Sequence, residues 1–226
     1  MQLPLNIDLQ DPQTLTNFCW HGNEVLQSQL KLSLQQNGER FFYVWGNAGT
    51  GKSHLLQALT QEIGSNAIYL SLEQLSEYGH EMFEGIEQLD LICLDNIDAI
   101  AGIAPLEEAL FHLYNRIRDN NHSQLVIAGQ HNITNLRIAL PDLLSRIAWG
   151  LVFQLNELSE IDKLKVIEQQ ARNKGFHLPE AVGHYLIKHC ARDMHQLSSI
   201  IDTLDKASLV AKRKLTIPFV KQSLNL

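Results

Sequence analysis

The sequence predicts an α/β fold in which a parallel five-stranded sheet is sandwiched by helices and followed by a small all-helical domain. Three observations carry this expectation. Five short β-like segments alternate with helical patterns between Phe41 and Leu155, the run from Gly46 to Ser53 has the form of a phosphate loop set between a strand and a helix, and strand signals stop beyond Leu155.

Phe41-Phe42-Tyr43-Val44-Trp45 reads as a buried strand, and Ser53 to Leu59 opens a helix behind the loop. Ala67 to Ser71 and Leu91 to Asp95 are the second and third strands. Leu106, Leu110, Leu113, Tyr114 and Ile117 then recur at helical spacing, with Glu107, Glu108, Arg116 and Arg118 off that stripe, so an amphipathic helix packs on the sheet. Leu125 to Gly129 is the fourth strand and Leu151 to Leu155 the fifth. Between them, Pro141 to Arg146 brings an arginine to a helix end, expected near the sheet edge that carries the loop. From Leu158 to Leu226 the pattern is helical, broken by Gly175-Phe176-His177-Leu178-Pro179 and by Leu215-Thr216-Ile217-Pro218. Glu180 to Cys190, Arg192 to Val210 and Pro218 to Leu224 are the helices expected after the first break. The expected organisation is a tail and linker over residues 1–18, an α/β nucleotide-binding core over 19–157 and a helical domain over 158–226.

The chain has 226 residues, 45% of them hydrophobic and 19% charged, an ordinary globular balance with enough length for a real core. Its apolar runs are too short to span a bilayer and its N-terminus lacks the regions of a signal peptide, so a soluble cytoplasmic protein without a membrane partner is expected. Cys19, Cys93 and Cys190 form no C-x-x-C pair, which points away from a disulfide framework and from zinc. A net charge of −7 argues against broad nonspecific affinity for DNA, and Lys212-Arg213-Lys214, the tight basic cluster, reads as a solvated helix end. His54, His112, His131, His184 and His189 lack ligand spacing and read as core or surface histidines.

Gly46, Asn47, Ala48, Gly49, Thr50, Gly51, Lys52 and Ser53 satisfy G-x-x-x-x-G-K-[ST] at every specified position. The glycines let the backbone curl around phosphates, Lys52 neutralises charge on the distal phosphates, and the Ser53 hydroxyl ligates Mg²⁺. ADP or ATP with Mg²⁺ is therefore the expected cofactor. Leu91-Ile92-Cys93-Leu94-Asp95 ends a buried strand in a carboxylate, and parallel βα units place Asp95 on the loop's edge of the sheet to hold the Mg²⁺. The next residue is Asn96, whose amide cannot take the proton of an attacking water, so efficient self-contained hydrolysis is not expected.

Together these segments resemble the AAA+ ATPases, and in particular the ATPase domain of the bacterial replication initiator DnaA. Thr14-Leu15-Thr16-Asn17-Phe18, Asp95-Asn96-Ile97 with Ala101-Gly102, and Ser145-Arg146-Ile147-Ala148-Trp149-Gly150 carry that likeness. Leu113-Tyr114-Asn115-Arg116-Ile117, Leu140-Pro141-Asp142-Leu143, Asp205-Lys206-Ala207-Ser208 and the run from Arg213 to Lys221 are similar to the Hda family, small DnaA homologues that inactivate the initiator. The resemblance implies an AAA+ P-loop core with a helical lid. It also implies that Arg146 is an arginine finger acting in trans on DnaA-bound ATP, and that Gln2, Leu3, Leu5 and Ile7 dock on the β sliding clamp of DNA polymerase III. DNA would be reached indirectly, through the clamp. His195 stands where DnaA-type initiators place a sensor arginine, which leans toward a bound diphosphate, and Arg192 could substitute only with the helix rotated.

The function so implied is an ADP-bound adaptor that, on the DNA-loaded clamp, stimulates hydrolysis of DnaA-bound ATP and represses re-initiation. Self-association is left open. An autonomous ATPase such as a helicase loader is the alternative, for which residues 1–18 leave little room ahead of the core. A DNA-binding initiator fragment is a third, for which no helix-turn-helix domain follows the helical region.

Overall fold

Strands buried on both faces are apolar at nearly every position, and this property sets the sheet. The structure, a computed structural model, describes residues 13–74, 79–190, 193–211 and 215–224. Its sheet contains β1 (Phe41–Trp45), β2 (Ala67–Ser71), β3 (Leu91–Asp95), β4 (Gln124–Gly129) and β5 (Leu151–Gln154). The order is β2-β3-β4-β1-β5, and every pairing is parallel. Trp45 lies opposite Gly129 on one side and Gln154 on the other, so these three strands end together on one edge. The chain belongs to the expected fold class.

Because side chains alternate across a strand, β1, β3 and β4 feed two separate cores. Phe41, Tyr43, Ile92, Leu94, Leu125 and Ile127 pack against α3 (Ala104–Asn120) and α4 (Pro141–Trp149). Phe42, Val44, Leu91, Cys93, Val126 and Ala128 pack against α1 (Glu24–Leu34) and α2 (Lys52–Ile63). Tyr114 of α3 stacks on Phe41 with ring centroids 4.4 Å apart.

By its contacts the chain divides into Thr14–Asp162 and a second unit holding Lys163–Leu226. The helices α5 (Glu160–Asn173), α6 (Glu180–His189), α7 (Met194–Ala211) and α8 (Ile217–Ser223) complete the element order. Ile167, Leu186, Leu197, Ile201, Leu204 and Val220 form the second unit's own core. Local chemistry starts these helices: the Asp193 carboxylate accepts the Gln196 N–H at 2.9 Å ahead of α7, and Thr216 caps α8, with Pro218 in its first turn.

Several expectations need correction. Phe18, assigned to a linker, is buried at 8% exposure, in ring contact with Trp20 and His54 and facing Gly51 of the loop. Helix α1 is an addition, marked in sequence by Leu26 and Leu30 one turn apart. Glu107, read as off the apolar stripe of α3, is 1% exposed. Its carboxylate accepts N–H groups from Gly102 at 2.6 Å, Ala139 at 2.9 Å and Leu140 at 2.7 Å, so hydrogen bonding offsets the burial of its charge. This side chain ties the start of α3 to the entry of α4. Replacing Glu107 by Ala is expected to lower unfolding free energy by about 2 kcal/mol, because three N–H groups lose their acceptor; urea denaturation measures it.

Candidate nucleotide-binding site

The loop after β1 is shaped by two glycines that no other residue could replace cheaply. A Cβ on Gly46 would lie 2.8 Å from the Leu155 carbonyl oxygen, and Gly51 has φ +95° with the Phe18 ring 3.3 Å from where its Cβ would be. Gly51 caps α2 without any side-chain hydrogen bond, so the first amides of that helix are free to receive anionic oxygens. Thr50 is buried and donates its hydroxyl to the Asn47 carbonyl at 2.9 Å, while the Asn47 amide donates to Glu157 at 2.8 Å.

Lys52 is 8% exposed, and its ammonium donates to the carbonyls of Gly46 at 2.7 Å and Asn47 at 2.8 Å. Burial pulls its pKa below the ordinary lysine value, while the carboxylates of Asp95 and then Asp98 pull it back up. The loop thus curls around its own cation, in a cradle that suits phosphate oxygens.

Asp95 ends β3 and is fully buried. One oxygen accepts the Asn96 N–H at 2.9 Å, and the other accepts the Tyr69 hydroxyl of β2 at 2.8 Å. Asn96 itself adopts a left-handed backbone, φ 59° and ψ 50°, which asparagine tolerates better than most residues. Among the described residues no group of three His, Cys, Asp or Glu side chains could hold a metal ion. A Mg²⁺ here would accordingly draw most of its ligands from phosphates and water, with the exposed Ser53 hydroxyl and Asp95 completing the set. These residues fit that ion.

Asp98, which the sequence reading did not single out, organises the end of β4. Its carboxylate accepts the Gln130 N–H at 2.5 Å and lies 2.6 Å from Nδ1 of His131, while the Tyr43 hydroxyl donates to the His131 carbonyl at 2.5 Å. Burial, and then the charge of Asp98, push the Tyr43 hydroxyl above its ordinary value. A Cβ on Gly129 would meet both Tyr43 and Asp98, so glycine is needed for this close approach. The signal in sequence was a second acid three residues after Asp95. For Tyr69 it was a phenol hydroxyl in a mostly apolar strand, which needs a partner when half-buried.

Arg146 is not at the loop's edge. It lies on α4, which leads directly into β5, and because β5 runs parallel to β1 its beginning sits beside the beginning of β1. Tyr114 reports the neighbourhood: its hydroxyl is pushed up to about 12 by burial and then by Glu39, with Arg146, Arg118 and Arg40 opposing. Glu39 and Arg40 directly precede β1. The Arg146 guanidinium stands 4.4 Å from the ring centroid of Trp149, which is 65% exposed. It makes no ion pair with a carboxylate among the described residues. His195 is exposed in the first turn of α7, in the second unit. Gln2, Leu3, Leu5, Ile7, Arg192 and the Lys212-Arg213-Lys214 cluster lie outside the described residues. No helix among the described residues is long and apolar enough to cross a membrane.

The family model of the bacterial DnaA ATPase domain matches residues 10–154, and that of the Hda lid domain matches residues 160–224. An uncharacterized protein of Haemophilus influenzae is 42% identical over 228 residues, covering 100% of this chain and 99% of that protein. Domain III of Thermotoga maritima DnaA superposes with a TM-score of 0.80 at 20% identity, over 99% of this chain and 98% of that one. AMPPCP-bound DnaA from Aquifex aeolicus gives 0.71 at 25% identity, over 89% of this chain and 67% of that one. The Thermotoga maritima RuvB branch-migration motor shares the fold, at TM-score 0.73 and 15% identity, over 95% of this chain and 72% of that one.

Lys52→Ala removes the buried cation of the loop, and is expected to weaken ADP binding about 10- to 100-fold by isothermal titration. Unchanged affinity would mean that the loop is structural.

Proposed function

The chain belongs to the bacterial DnaA ATPase-domain family and carries an Hda lid domain, and from that premise we propose how it regulates DnaA. Membership establishes an Hda-like AAA+ nucleotide-binding protein with a role in DnaA regulation. On the proposed reading it holds ADP with Mg²⁺, docks on the DNA-loaded polymerase III β clamp through Gln2, Leu3, Leu5 and Ile7, and supplies Arg146 to ATP bound by DnaA. Hydrolysis on the partner then represses re-initiation.

The placement of Arg146 carries this reading. The arginine sits beside the starts of β1 and β5, whereas its own phosphate loop follows the end of β1, so it is turned away from nucleotide bound in the same subunit. A guanidinium presented next to an exposed indole is instead available to a surface brought up from outside. There it would stabilise the charge that develops on the transferring phosphoryl group. Asn96 supports the same assignment, since a side chain that cannot accept a proton follows Asp95 and self-contained hydrolysis lacks its base. His195, in place of the sensor arginine, would grip a γ-phosphate less well than a guanidinium does, which favours a bound diphosphate. A self-sufficient ATPase such as a helicase loader is the competing reading, favoured by the complete loop and Asp95. The nucleotide that copurifies with the protein separates the two: ADP supports the adaptor and ATP the loader.

In a reconstituted assay with DnaA-ATP and clamp loaded on DNA, Arg146→Ala is expected to lower stimulated hydrolysis by about 10³-fold or more while leaving ADP and clamp binding intact. Wild-type stimulation by a folded, clamp-bound variant would make Arg146 a surface residue and end the mechanism. Deleting residues 2–7 is expected to abolish clamp binding with nearly unchanged ADP affinity and melting temperature, because a terminal tail contributes little to the core. Retained clamp binding after the deletion would put the docking site elsewhere.

A further inference from the structure

Nucleotide binding needs only the loop, but a cation bound with the nucleotide needs two oxygen groups held in fixed orientation. A third group, Tyr69, stands beside the carboxylate. The Tyr69 hydroxyl donates to Asp95 at 2.8 Å, and while burial raises its pKa, the Ser53 and Gln57 side chains are near enough to its oxygen to pull it down. The hydroxyl thus links β2 to the end of β3 on the side facing the first turns of α2.

The contact fixes the carboxylate. Asp95 is fully buried, with one oxygen already engaged by the Asn96 N–H, so the tyrosine settles the rotation of the carboxylate by engaging the other. An ionised carboxylate still has lone pairs left for a cation-bound water. Ser53 is exposed, and its hydroxyl oxygen keeps lone pairs for a cation. Tyr69 sits on an edge strand of the sheet, and its ring packs in the layer beneath α2, which fixes where its hydroxyl can reach.

We infer that Tyr69 is a positioning residue of the cation site, orienting the Asp95 carboxylate for a nucleotide-bound Mg²⁺. The inference rests on nucleotide binding alone and is independent of the clamp and of Arg146. Groups that orient metal ligands from the layer behind them commonly contribute 10- to 100-fold in metal affinity, about the scale expected here.

Tyr69→Phe keeps the ring and removes only the hydroxyl. The test measures ADP affinity by titration calorimetry in EDTA and in excess Mg²⁺, and the Mg²⁺ affinity of the ADP complex by competition with Mn²⁺ read from its paramagnetic resonance. The expected result is Mg²⁺ affinity roughly tenfold weaker, ADP affinity in EDTA within about twofold of wild type, and a melting temperature close to wild type. Unchanged or tighter Mg²⁺ affinity overturns the inference. So does an equal loss of ADP affinity with and without Mg²⁺, which is what a merely structural role predicts. Failure of the wild-type protein to bind ADP in either condition would instead defeat the nucleotide-binding reading, so the two failures are distinguishable.

Discussion

A carboxylate buried without compensation would be among the most costly features this fold could contain, and the arrangement around Asp95 answers that constraint. At zero exposure it is met by a backbone N–H, a tyrosine hydroxyl and the field of Lys52. Lys52 is in turn a buried cation that the carbonyls of Gly46 and Asn47 hold at the centre of the loop. Each charge is tolerable because the other is there. Asp95 closes β3 and Lys52 opens α2 behind the loop that follows β1, and these strands are not neighbours, so the pair depends on β4 lying between them and on all three strands pointing the same way. Asp98, pinning Gln130 and His131 at the end of β4, fixes the part of the edge between the two.

The parallel sheet that assembles this site also separates it from Arg146. Helix α4 spans only about 13 Å at the usual rise per residue, and it must deliver the chain to the beginning of β5. Whatever follows the middle of α4 is therefore carried away from the loop's edge. An arginine finger at this position works between subunits or it does not work as a finger. Trp149 lends this placement a second property, since a guanidinium over an indole face keeps its charge while its long side chain loses fewer conformers on meeting a partner.

Most of the sheet was legible because a buried parallel strand is written locally, as an apolar run bounded by turns. β1, β2 and β3 fall on the expected residues; β4 begins one residue earlier, at Gln124, and β5 ends one earlier, at Gln154. The loop was legible for the same reason, its function being carried by consecutive residues. What could not be read was set by contacts distant in sequence. Glu107 looks like a solvated glutamate until Ala139 and Leu140 bring their N–H groups to it. Tyr69 looks like a β-former until Asp95 arrives on the neighbouring strand. Arg146 lies at the edge opposite to the one expected, because a residue just ahead of a parallel strand sits by that strand's beginning, whereas the loop follows the end of β1.

Asn96 shows how the backbone and the chemistry constrain each other. The turn after β3 reverses direction through a left-handed residue, and its N–H is committed to Asp95. Asparagine accepts that conformation at small cost, whereas a glutamate with the same φ and ψ would carry strain of order 1 kcal/mol or more. A base for water activation placed here by exchanging one side chain would have to carry that strain while the turn stays as it is. On the proposed reading, then, weak hydrolysis in cis is built into the path of the chain. The left-handed turn that holds Asp95 for binding is the same turn that disfavours the longer carboxylate, which makes binding without efficient turnover a single structural choice.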